Sequence, residues 1–91
     1  MSGAWGLFRV DMTKYFFDFQ TGDILSLDDQ GAELPGVEAA HSEALNALAD
    51  AIQDVVLQGL SDQRFAVSVR DECGQVLEIA AVLNSKVLRR S

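Results

Sequence analysis

Apolar residues recur along this chain with a period of two, then with the period of a helix, then with a period of two again. Lys14 to Phe19 is rich in aromatics and predicts a strand, with Tyr15, Phe17 and Phe19 on one face and Phe16 and Asp18 on the other. Gln20-Thr21-Gly22-Asp23 is a turn cluster, and Ile24 to Asp28 predicts a second strand with Leu25 and Leu27 facing one way. Asp28-Asp29-Gln30-Gly31 is a further turn, after which Glu33-Leu34-Pro35-Gly36 leads out of the hairpin.

From Val37 to Gln58 the spacing is that of one helix. Val37, Ala44, Leu45, Leu48, Ile52, Val55 and Val56 recur at steps of three and four and form an apolar stripe. Gly36 is placed as N-cap, and Glu38 lies at the positive end of the helix dipole. Gly59 suits a left-handed terminator, with Leu60 folding back onto Val55.

Alternation returns from Arg64 to Asp71, where Phe65, Val67 and Val69 oppose Ala66, Ser68 and Arg70. Asp71-Glu72-Cys73-Gly74 is a turn, and Val76 to Leu83 predicts a fourth strand with Leu77, Ile79, Ala81 and Leu83 inward. Two hairpins thus flank one helix with a single apolar stripe. The economical packing is an α+β fold of ββαββ order, a four-stranded, mainly antiparallel sheet with the helix across one face. Pattern alone leaves the strand order open.

Length restricts this to one domain, because 91 residues are too few for two ordinary ones. Residues 12–91 are expected to form it. Residues 1–11 show no sustained period and read as an N-terminal extension, non-native or flexible, with Met12 as the expected natural start. The 48% hydrophobic content supplies a core and argues against disorder.

Charge narrows the partners. Fourteen acidic residues against seven basic ones leave a net −7, which opposes nucleic-acid phosphates and anionic membrane surfaces. Neither nucleic acid nor membrane is expected as a partner. Lys86, Arg89 and Arg90 at the C-terminal end read as a solvated tail. A single cysteine allows no internal disulfide, and with no apolar run of spanning or signal-peptide length the expected compartment is the cytoplasm.

Several segments together resemble a known family. These are Lys14-Tyr15-Phe16-Phe17-Asp18, Asp28 to Pro35, Glu38-Ala39-Ala40, Glu43-Ala44-Leu45 and Val69-Arg70-Asp71-Glu72-Cys73-Gly74. Between Met12 and Leu83 the chain is similar to short bacterial proteins of unknown function, abundant in alphaproteobacteria. Their pattern is an Arg-Tyr-Phe-Phe-type strand followed by two acidic turns ending in Gly. The resemblance supports Met12 as the start and implies no activity. A slighter likeness links Leu34-Pro35-Gly36 and the Ala/Glu-rich helix to antitoxins of small RNA-cleaving toxins, which usually append a DNA-binding segment that has no room here.

Chemistry is sparse. The acidic turns carry the Asp and Gly that hairpins require, and neither supplies the ligands of a calcium loop. His41 falls on the helix stripe with no orienting carboxylate nearby in sequence and reads as a packed or flanking residue. Cys73 sits between acidic neighbours that oppose a thiolate. No catalytic, cofactor or metal residue is identified, and no enzyme is expected.

Two surfaces remain. Glu43, Asp50 and Asp54 form an acidic helix face that reads first as solvated. The sheet face away from the helix is expected to show Phe16, Ile24, Ala66, Val76, Ala80 and Val82 among polar residues, more apolar than such a face usually is. The candidate interface is Phe16, Ile24, Ala66, Ala80 and Val82. The leading functional expectation is a non-enzymatic interaction module, a homodimer through that face or a contact for another protein. An antitoxin-like acidic partner of a small basic protein comes second, and a small-molecule-binding protein or enzyme third.

Overall fold

The computed structural model describes residues 11–59 and 62–89. In chain order these form β1 (Thr13–Thr21), β2 (Ile24–Ser26), β3 (Ala32–Leu34), α1 (Val37–Leu57), β4 (Gln63–Asp71) and β5 (Gly74–Leu83). The sheet runs β2-β1-β4-β5, and β3 also pairs with β1. Every pairing is antiparallel. The fold is the expected α+β arrangement, with one short additional strand. The expectations for residues 1–10 and for Leu60 lie outside the described residues.

That additional strand has a local cause. Gly22, at φ 59, opens a two-residue turn that brings Ile24 opposite Thr21. β2 then stops at Ser26 rather than running to Asp28. At Phe17 the ladder partner is the Asp28 side chain, which accepts from the Phe17 N–H at 3.1 Å. After Gly31 the chain returns to the same edge, pairing Ala32 with Tyr15 and Leu34 with Thr13. One edge of β1 is therefore shared by two short strands with a carboxylate between them.

The core lies between α1 and the sheet. Tyr15, Phe65, Val67 and Val69 are buried beneath Ala40, Ala44, Leu48 and Val55. The apolar stripe is rotated from the one expected, because Val37, Leu45 and Val56 are exposed while Ala40 is fully buried. Small residues at 40 and 44 allow close approach to the sheet, and Ala51 and Ile52 pack beside them. Gly36 is the N-cap and makes no side-chain cap bond; Gly59 follows the helix at φ 76, as expected. No described helix is long and apolar enough to cross a membrane.

Candidate functional site

Strand register decides which residues share the face turned away from α1. In an antiparallel ladder, directly opposed residues project to the same side. Phe16 opposes Arg70, Asp18 opposes Ser68, and Gln20 opposes Ala66. Across the next ladder Arg64 opposes Val82, Ala66 opposes Ala80, and Ser68 opposes Glu78. Phe16, Ala66, Ala80 and Val82 thus lie on the face where alternation puts them.

Two residues expected there do not. Ile24 opposes Thr21, which opposes core residue Phe65, so Ile24 follows the helix-side parity and is 71% exposed at the sheet margin. Leu25 replaces it, being opposite Gln20. The reason is the two-residue turn, which sets a register one residue away from that assumed. Val76 falls at a register shift beside Val69 and Arg70 and packs against the core cluster.

The face has two halves of different chemistry. At the Phe16 end, Arg70 Nε donates to Asp18 Oδ2 at 2.9 Å and Arg70 Nη2 donates to the Asp28 carbonyl at 2.8 Å. The guanidinium stands 4.5 Å from the centroid of the Phe16 ring, with Lys14 Nζ 5.8 Å from the same ring. Asp18 is buried, and its Oδ1 accepts from the Asp28 N–H at 3.0 Å. Asp28 Oδ1 accepts from the N–H groups of Gln30 and Gly31. Donation from Phe17 and Gly31 holds the Asp28 carboxyl below its ordinary pKa, with smaller help from Gln30 and the Arg70 charge against some desolvation.

Three segments distant in sequence meet in this network: Phe16-Phe17-Asp18, Asp28 to Gly31, and Arg70. They belong to the motifs on which the family resemblance rests. The turn reading of Asp28 is correct as far as it goes, but a turn preference carries no sign of a contact 42 residues away. Phe16 is half-buried by its polar neighbours and is no free aromatic anchor.

At the other end, Ala66 and Ala80 leave a hollow continuous with an open cleft of about 510 Å³ that also touches Gln20, Arg64 and Val82. Val82 is 62% exposed. No described helix or strand covers this half. Arg64, not singled out from the sequence, lies here; alternation with Ala66, Ser68 and Arg70 is the signal that could have found it.

The other candidates are dispersed. His41 is exposed on α1, which fits the flanking rather than the packed of its two expected placements. Cys73 is exposed in the turn between β4 and β5, where its N–H donates to Asp71 Oδ1 at 2.8 Å. Among the described residues no group of three or more His, Cys, Asp or Glu side chains could hold a metal ion. Glu43, Asp50 and Asp54 are all exposed along α1.

A family model described as a domain of unknown function (DUF6894) matches residues 14–83. No curated protein and no solved structure matches.

Proposed function

The chain belongs to the DUF6894 family of domains of unknown function, and from that premise, which brings no activity with it, we propose a non-enzymatic interaction module that pairs with a second copy of itself. The contact is the apolar half of the sheet face, Ala66, Ala80 and Val82, with Leu25 at its margin. The observation that carries the reading is a sheet that, among the described residues, is covered by a helix on one side only, with an exposed valine and a small-residue hollow on the other. The polar half does different work: Arg70, Asp18 and Asp28 satisfy one another and fix the loop between β2 and β3. Separation of the sole His and sole Cys on different exposed elements also favours a non-catalytic role.

Val82→Asp tests the proposal, since an exposed residue can change without disturbing the core. The expected outcome is loss of a dimer seen for the wild type, with the far-UV spectrum unchanged. A dimer that survives Val82→Asp at unchanged affinity contradicts the reading.

A further inference from the structure

Arg64 and Glu78 are exposed charges on opposite sides of the Ala66–Ala80 pair, one on β4 and one on β5. The ladder fixes their placement. Arg64 is two residues before Ala66, whereas Glu78 is two residues before Ala80 on the antiparallel neighbour. Each therefore stands about 7 Å along the strands from the alanine pair, in opposite directions. The midpoint between the backbone positions of Arg64 and Glu78 therefore coincides with that between the two alanines.

We propose that the second copy docks face to face about a two-fold axis through the Ala66–Ala80 pair, so that Arg64 of each copy meets Glu78 of the other. A two-fold contact must be self-complementary, with each patch supplying what its own image needs. An axis in the plane of the contact that exchanges these two positions forms two equivalent ion pairs at once. The short side chains of Ala66, Ala80 and Ser68 between them let the faces approach. Arg64 forms no ion pair within the described residues, and Glu78 accepts only a 3.3 Å bond from the exposed Gln75 side chain. Both charges are available for a partner. Charge complementarity also gives a chain of net −7 a contact with itself: Arg64 and Glu78 supply opposite charges across the Ala66–Ala80 pair, while Asp23 and Asp62 line the adjoining cleft.

This inference rests on the proposed self-association and specifies its register. The test is sedimentation equilibrium of the full chain and of Arg64→Glu and Glu78→Arg, alone and mixed in equal amounts, at one ionic strength. Each reversal alone places like charges opposite each other and weakens the dimer by about tenfold or more. Mixed together they form a heterodimer, because position 64 of each chain then meets an opposite charge at position 78 of the other. The double variant Arg64→Glu/Glu78→Arg returns to within about threefold of the wild type, since its pairs are merely exchanged. If Val82→Asp breaks the dimer but mixing rescues nothing, the register is wrong and the use of this face stands. A wild type that never dimerises overturns both. A dimer indifferent to all these changes places the contact elsewhere, for example on the outer edge of β5, and likewise overturns both.

Discussion

Asp28 shows how one side chain can stand in for a missing piece of ladder. Its two oxygens accept from three backbone N–H groups, Phe17 on one side and Gln30 and Gly31 on the other. Because these donors favour the carboxylate, the folded pKa lies below the unfolded one. The resulting stability is complete above the ordinary Asp range and is lost as pH falls through the lowered folded value. Asn presents an oxygen to only one of the two donor sets and turns an amide N–H₂ toward the other. Asp28→Asn is therefore expected to cost about 1–2 kcal/mol at neutral pH, toward the lower end because the group is partly solvated. Chemical denaturation at pH 7 and again near pH 2.5 checks this, the deficit shrinking in acid. A deficit that is the same at both pH values contradicts the role of the charge. Arg70 depends on shape as much as on charge, since it stacks on Phe16 while pairing with Asp18, and lysine lacks the planar fork for both.

At the scale of elements, the turn after β2 depends on Gly31. Its φ is +73°, and a Cβ there would lie 3.0 Å from the Tyr15 carbonyl, the Phe16 ring and Lys14 Cε. Gly59 has nearly the same φ, +76°, but open space around it. The pair separates backbone strain from crowding. Gly59→Ala should cost about 1 kcal/mol for the left-handed conformation alone. Gly31→Ala should cost distinctly more, roughly 2 kcal/mol or above, because the Tyr15 carbonyl belongs to the ladder and cannot step aside. Equal losses in thermal denaturation would show that the loop yields. The sequence made the helix and the long strands legible, since Leu48 and Val55 keep the helical period and Phe65, Val67 and Val69 alternate. It did not reveal the stop at Ser26. Ile24 to Asp28 is apolar enough for a strand, and the strand gives way where tertiary hydrogen bonds with Phe17, Asp18 and Arg70 engage Asp28. The helix stripe is rotated because Ala40 joins Ala44 as a fully buried residue, although hydrophobicity ranks it below the exposed Leu45 and Val37.

For the whole molecule, the same ladder that builds the sheet determines its outward surface. Alternation placed Ala66, Ala80 and Val82 together correctly, because β4 and β5 are long and regular where those residues sit. It misplaced Ile24, whose face depends on turn geometry rather than on its own strand. The division of the face was not legible at all. Phe16 and Val82 are equally apolar in sequence, yet Arg70 covers one and leaves the other open. Among the described residues, a network ties the β2–β3 loop to the sheet beside a half of the face that no helix or strand covers, and the proposed self-association uses that open half. The most direct measurement is sedimentation equilibrium of the wild type from low to high micromolar concentration. Self-association through the open sheet face predicts a concentration-dependent rise from the 9.9 kDa chain mass toward twice that value. A mass that stays at 9.9 kDa throughout would contradict it.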